Sequence, residues 1–345
     1  MRLRHLLLIA LCSTFGLLQA QDIHFSLYNM SPLTLNPALS GAFEGTARIG
    51  GIYRDQWASF LNKQFVTPSF YVDAPIIRGL RKQDWVGVGG MTFNDQAGTA
   101  KLRTVGSMFS AAYHMGFDKG NKNVLTIGFQ GGSVQRRIDI QSQNLKFEDE
   151  LPESVGGGGA GVGNGGDRQL NDNVSYMDFS TGAMLRSAIG DKDKLELGMS
   201  FAHLTQPRYN LISSGNKSDD PRRPMRMSLH GQLRHQLNEK LHVTPSFLVQ
   251  STKTAREIAL QAMAGYQINP DVNLRIGPGY RFGDAAQVLL GVDYKDLRVA
   301  ASYDVNVSSL SEVSNLQGGF EIAAWYIVKI YKKPKISPAI LCPQF

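Results

Sequence analysis

Leu297-Arg298-Val299-Ala300-Ala301-Ser302-Tyr303-Asp304-Val305-Asn306-Val307 alternates without a break. Leu297, Val299, Ala301, Tyr303, Val305 and Val307 fall on one face of a strand; Arg298, Ala300, Ser302, Asp304 and Asn306 fall on the other. Side chains of a strand point to opposite faces in turn, so one face is apolar and the other polar. Val272–Phe282 repeats the pattern, with Val272, Leu274, Ile276, Tyr280 and Phe282 set against Asn273, Arg275 and Arg281. Met227–Leu237 does so again, with Met227, Leu229, Leu233 and Leu237 set against Ser228, His230, Gln232, Arg234 and Gln236. Many such strands in one chain point to an all-β barrel with a polar lumen and a lipid-facing exterior.

Working outward, fourteen strand-like stretches are expected near residues 46–56, 64–75, 84–94, 101–117, 122–135, 174–188, 194–204, 225–237, 240–251, 255–268, 271–282, 286–294, 297–307 and 316–331. An even count returns a bacterial single-chain barrel to its starting side. The connections sort by parity. The long ones, including Trp57–Lys63, Ile138–Asn173 and Gln206–Pro224, fall on the odd side. The tight ones, Ser187–Asp193, Asn238–Glu239, Asn269–Pro270 and Lys295–Asp296, fall on the even side. Short periplasmic turns opposite longer external loops are the outer-membrane arrangement.

The N-terminus reads as a targeting segment. Met1–His5 is basic, Leu6–Leu18 is an apolar run of secretory length, and Ala20 offers a small residue before a cut at Gln21. The run is short for a membrane-spanning helix, which takes about 20 apolar residues. The expected division is therefore a signal peptide over 1–20, a plug over 21–45, a barrel over 46–331 and a basic periplasmic tail over 332–345. Fourteen strands make a barrel too wide for side chains alone to fill. Residues 21–45 lack alternation and carry Ser31-Pro32 and Asn36-Pro37, so they are read as a plug entering from the periplasmic side.

Charge and motifs narrow the function. The net charge of +7 falls to +5 once Arg2 and Arg4 are removed, and part of the excess lies in Lys329, Lys332, Lys333 and Lys335. An exported chain of this kind is not expected to bind nucleic acid. Cys342 is the lone mature cysteine, so no disulfide framework is expected. The histidines show no metal-ligand spacing, and no nucleophile motif appears, so neither a metal, a cofactor nor catalytic residues are expected. Gly156–Gly166 is glycine-rich but lacks the Lys and Ser or Thr of a phosphate loop, and reads as a flexible connection.

Tyr28-Asn29-Met30-Ser31-Pro32-Leu33-Thr34-Leu35-Asn36-Pro37-Ala38-Leu39-Ser40-Gly41 resembles the opening of the PorP/SprF family of Bacteroidota. Tyr53-Arg54-Asp55-Gln56-Trp57 is similar to its Y-R-x-Q-W signature. Ser302–Asn306, Gly318–Glu321 and the Cys342-Pro343-Gln344-Phe345 ending resemble its last two strands and tail, with Gln344 in place of the usual basic residue. The resemblance implies an outer-membrane protein of the type IX secretion system. Its partners would be a surface adhesin or other secretion cargo, with the secretion machinery's periplasmic or lipoprotein components on the other side. Asn36-Pro37-Ala38 also resembles the hatch of FadL-type channels, which supplies the alternative of a channel for hydrophobic molecules.

Particular residues carry these readings. On the first strand Arg48, Arg54 and Gln56 share the expected lumenal parity, and Tyr53 and Trp57 share the lipid-facing one, where they fit an interfacial aromatic girdle. A lumenal Arg54 needs a partner, because a buried unpaired charge is costly. It is read as a clamp on the plug, with Asp304 or Glu321 as counter-charge. Pro37 sets its own φ and biases Asn36 away from helix, bending the plug. Glu148, Asp149 and Glu150, with Asp219, Asp220, Arg222 and Arg223, are the candidate external contacts for a partner; hydrated loop charge is the plainer account.

Overall fold

The computed structural model describes residues 22–57, 65–81, 83–98, 101–118, 120, 122–138, 169–170, 172–190, 192–213, 222–308, 314 and 316–330. Fourteen antiparallel strands close into one barrel. They are β1 (Ala47–Gln56), β2 (Phe65–Arg78), β3 (Trp85–Ala97), β4 (Leu102–Gly116), β5 (Asn123–Arg137), β6 (Asn173–Ile189) and β7 (Asp193–Ala202). The second half comprises β8 (Arg226–Gln236), β9 (Leu241–Ser251), β10 (Arg256–Asn269), β11 (Val272–Arg281), β12 (Ala285–Tyr294), β13 (Leu297–Asn306) and β14 (Gln317–Val328). Each strand pairs with its sequence neighbours, and β1 closes the ring on β14 from Ala47 opposite Val328 to Gln56 opposite Gly319. Closure leaves no unpaired sheet edge, which a spanning sheet requires where no water can satisfy its backbone. Outside the ring, Gln169–Leu170 pairs with Ile212–Ser213, joining the connection after β5 to the one after β7.

The alternation read along Leu297–Val307 is the alternation of the wall. Ala300, Ser302, Asp304 and Asn306 are buried toward the lumen, and Val299, Tyr303 and Val307 face out. Around the ring the outer face carries Phe70, Phe109, Phe129, Ile276, Val288 and Leu290, with Phe109 73% exposed. A contiguous apolar exterior of this extent suits lipid rather than water. No helix among the described residues is long and apolar enough to cross a membrane.

Residues 22–46 run through the lumen. At one end Asp22 meets His203, Arg223 and Arg226, beside the long connections that precede β6 and β8. At the other end Gly41 meets Asp73 and Trp85, beside the short turns. The segment therefore descends from the long-loop end and turns up into β1. This reverses the entry expected from the periplasmic side. The reversal follows from where the charges sit: Asp22 forms an ion pair with Arg223, so the start of the segment is held at the mouth that Arg223 flanks.

Candidate functional site

The lumenal segment is built of short turns. Pro32 opens a helical turn over Pro32–Leu35 and Pro37 opens a 3₁₀ turn over Pro37–Leu39; proline suits a first helical position because its missing N–H has no partner there anyway. Between them Asn36 is extended, with φ −159° and ψ 125°, as expected before proline. Its Oδ1 accepts from the Ala38 N–H at 2.9 Å, capping the second turn. Its Nδ2 donates to the carbonyls of Ala183 at 3.1 Å and Met199 at 3.3 Å, and lies 3.1 Å from His230 Nε2. A fully buried asparagine with every polar atom partnered ties the turn to β6, β7 and β8. Leu33 packs with Tyr71, Met91, Met108 and Val134, and Tyr28 and Leu35 pack with Leu248 and Ala259.

Where β1 meets β14, Arg54 stands opposite Glu321 in register. Its Nη1 contacts Glu321 Oε1 and lies 3.6 Å from Asp304 Oδ2 and 3.3 Å from Ser26 Oγ. Glu321 is completely buried, and its two oxygens accept the Ser26 and Leu27 backbone N–H groups, both at 2.7 Å. Ser26 Oγ donates to Asp304 at 2.7 Å, and Arg281 Nη2 reaches Asp304 at 3.1 Å. Gln261 donates to the Ser26 carbonyl at 2.7 Å. Two arginines and two carboxylates thus balance in charge around one serine, with the carboxylates also satisfying backbone donors that would otherwise be buried alone.

The lower end is held by another pair. Arg48 makes a two-pronged contact with Asp73, at 2.9 and 2.8 Å, and donates to the Leu39 carbonyl at 3.2 Å. Asp73 also accepts the Gly41 N–H at 2.7 Å. His114 Nε2 lies 2.8 Å from the Ser40 carbonyl and Nδ1 2.9 Å from Thr126 Oγ1, with its ring stacked on Trp85 at 4.5 Å. The wall comes close here. A Cβ on Gly87 would lie 2.0 Å from the Ser40 carbonyl oxygen, and one on Gly128 would lie 2.4 Å from the Ala38 nitrogen. Only glycine leaves the segment its path at these two points.

At the upper end Asp22 accepts from Arg223 and lies 3.0 Å from Arg226 Nη1 and 2.9 Å from His203 Nε2. His203 Nδ1 is 2.6 Å from Asp178 Oδ2. Burial by itself would raise the Asp22 carboxyl, but Arg223, Arg226 and His203 together hold it well below its usual value. Burial, with Arg54 and Arg281 nearby, pushes His24 well below the ordinary histidine value. A cavity of about 70 Å³ lies beneath this cluster, between Leu35, Met91, Phe93 and Met108 on its apolar side and Asp178 and His203 on its polar side.

Of the residues singled out in the sequence, the structure brings Arg54, Asp304 and Glu321 together, with Gln56 Oε1 3.4 Å from Arg54 Nη2. Asn36-Pro37 lies apart from them, lower on the segment, and Arg48 on β1 meets the segment lower still, at Leu39. Tyr53 lies on the outer face with its hydroxyl 3.3 Å from Asp55, and Trp57 packs edge-on against Phe65 at 5.0 Å. Arg222 is exposed, whereas Arg223 turns inward to Asp22 and Tyr176 and so is not available as an external contact. Glu148, Asp149, Glu150, Asp219, Asp220, the glycine-rich stretch, Cys342 and residues 1–20 and 332–345 lie outside the described residues. The sequence marks neither Asp73, His114, His203, His230 and Arg281 as partners of the segment nor Ser26 as the point on it where Arg54, Arg281 and Asp304 gather. Parity marks several of them as inward-facing, but nothing in the sequence tells which point along the segment each would meet. Among the described residues no group of three or more His, Cys, Asp and Glu side chains could hold a metal.

Comparison with known proteins gives the fold and the family separately. A ΔS2 mutant of the TodX monoaromatic hydrocarbon channel superposes with a TM-score of 0.53 at 13% identity, over 87% of this chain and 94% of that one. The Ralstonia pickettii toluene transporter TbuX gives 0.49 at 13% identity over 86% and 93%, and a Pseudomonas aeruginosa FadL homologue 0.39 at 14% identity over 84% and 92%. At such identities the likeness concerns the fold alone. No curated protein matches. The family model for the type IX secretion system membrane protein PorP/SprF matches residues 17–326, and the chain belongs to that family.

Proposed function

We propose that this barrel supports export and cell-surface anchoring of a partner protein, such as an adhesin, by docking it at the long-loop mouth. In this reading residues 22–46 act as a fixed plug, Arg54 clamps that plug through Glu321, and no covalent chemistry is involved. The observation that carries the reading is that the segment is bonded to opposite walls at once. Glu321 on β14 takes the N–H groups of Ser26 and Leu27, Ala183 on β6 and Met199 on β7 take the Asn36 amide, and Ser110 on β4 accepts from Ser40 at 2.7 Å. A lumen crossed by such a segment favours a rigid platform over a conduit. Membership of a secretion-system family supplies the class of partner.

The alternative, a channel for hydrophobic compounds, draws on the apolar side of the cavity under Asp22. That cavity is about 70 Å³, against roughly 300–1,000 Å³ for ordinary small-molecule sites, which weighs against it. Affinity purification of the tagged barrel from detergent-solubilised outer membranes, read by mass spectrometry, tests the proposal. A large surface protein with a secretion-targeting C-terminal domain is expected to co-purify. Recovery of the barrel alone, with surface proteins unchanged in a deletion strain, would refute docking.

A further inference from the structure

The inner wall near the short turns carries charge beyond what the lumenal segment uses, although Arg186 Nη1 donates to the segment's Ala42 carbonyl at 3.0 Å. Arg186 on β6, Lys194 on β7, Arg234 on β8, Arg275 on β11 and Arg298 on β13 all share the inward parity of their strands, and they are offset there by Glu196 and Asp293 on the wall and by Glu44 of the segment, which acts on Arg186. Five cations against three carboxylates leave an excess of two. Asp293 is taken by Arg298, at 2.5 and 2.9 Å, and Glu196 accepts from Gln232 at 2.5 Å. Among the described residues no carboxylate forms an ion pair with Lys194, Arg234 or Arg275.

This placement is unfavourable as it stands. Lys194 and Arg234 are directly opposite in register, and like charges facing each other across a sheet repel. Arg234, Arg275 and Arg298 also lie close enough to one another, and to His242, to interact electrostatically. His242 is 2% exposed, yet its Nε2 meets no hydrogen-bond partner among the described residues. Arg275 Nε and the Nε and Nη2 of Arg186 are likewise buried without one. The His242 ring lies over Gly265, and Gly265 is the register neighbour of Arg275, so the unpartnered His242 and Arg275 nitrogens share one stretch of wall. Buried donors in such numbers are uncommon, and each one left alone costs about 1–3 kcal/mol.

From this we infer that the short-turn mouth of the lumen binds an acidic stretch of a partner polypeptide, whose carboxylates line up along this arc. The length of the arc selects the class of anion. Strands lie about 4.8 Å apart, so the seven steps from β6 to β13 span roughly 34 Å of wall. One phosphate or carboxylate meets a single cation cluster; an extended chain rising about 3.3 Å per residue needs roughly ten residues to cover the arc. Lys194 and Arg234 are exposed and open the arc to the mouth, which in an outer-membrane barrel is the periplasmic one. The inference concerns the end opposite the long loops and does not depend on docking there.

The test is fluorescence anisotropy of a fluorescein-labelled decaglutamate peptide with the full-length barrel in detergent, at low and at physiological salt. The double variant Arg234→Gln/Arg275→Gln is expected to weaken binding at least tenfold with a melting temperature at or above that of the wild type, and salt is expected to weaken the wild type more than the variant. Arg222→Gln, at the other mouth, is expected to bind as the wild type does. If the double variant does not fold, the exposed Lys194→Gln serves in its place, with an expected loss of about threefold. Equal binding by wild type and folded variant would overturn the inference. So would competition by free glutamate or inorganic phosphate at the same concentration as unlabelled decapeptide, because that describes a single-ion pocket. Polyphosphate of matched length binding more than tenfold tighter would assign the arc to a different class of anion and equally overturn it.

Discussion

Replacing Glu321 by Gln isolates what holds the upper half of the lumenal segment. The native carboxylate is fully buried, contacts Arg54, and accepts two backbone N–H groups at 2.7 Å each. A neutral amide keeps the shape but offers one oxygen for three donors, and its NH₂ faces at least one of them. Removing one member of a buried ion pair costs about 3–5 kcal/mol, and a hydrogen bond to a charged group contributes about 1.5–3 kcal/mol. These terms overlap. Arg54 also retains Asp304 at 3.6 Å. The expected loss is therefore near the lower figure, about 3 kcal/mol. The loss falls on the segment rather than on the closed ring, whose ladder from β1 to β14 is untouched, so the readout is local opening. Hydrogen exchange at the Ser26 and Leu27 amides of the detergent-solubilised barrel is expected to accelerate about a hundredfold, each tenfold corresponding to about 1.4 kcal/mol. Exchange in β8–β12 is expected to stay as in the wild type. If Ser26 and Leu27 exchange within threefold of the wild type in a folded Glu321→Gln barrel, the carboxylate does not hold the segment and the clamp reading fails.

Other changes test the remaining contacts. Gly87→Ala places a methyl 2.0 Å from the Ser40 carbonyl oxygen, so the barrel should still close while residues 37–42 lose protection from exchange; unchanged protection would show that the wall yields instead. Asn36→Ala removes the cap on Ala38 and the bonds to Ala183 and Met199, and should lower stability by about 2 kcal/mol in chemical denaturation, whereas a change within about 0.5 kcal/mol would place it among ordinary surface substitutions. For His24 the pH sign follows from its depressed value: it stays neutral in the folded protein and takes a proton in the unfolded chain below about 6.5. Its contribution is present above that pH and is lost as pH falls from 6.5 toward the folded value. Thermal melts should therefore fall on acidification from pH 7 to 5, and less steeply in His24→Gln; parallel slopes in both proteins would remove His24 from the account.

The ring itself was legible residue by residue. Runs such as Leu297–Val307 and Val272–Phe282 carry period-two alternation because each residue faces either lipid or lumen, and that choice is made within the strand. The long and short connections sort by parity because successive strands of an up-and-down ring end at opposite mouths. Asn36-Pro37 likewise announces an extended residue followed by a turn, since the proline ring acts on its immediate neighbour. What only the tertiary structure decided is which inward-facing residues meet. Arg54 faces Glu321 because the first strand closes on the last, joining positions at opposite ends of the chain. Asp22 reaches Arg223, and Asn36 reaches His230, because a segment without periodicity is threaded through a space that the ring creates. The direction of that thread is not in the sequence, because alternation specifies a face and says nothing of depth along the barrel. Depth is fixed by the pairing of a few buried charges with one another, and those pairs exist only once the ring is closed.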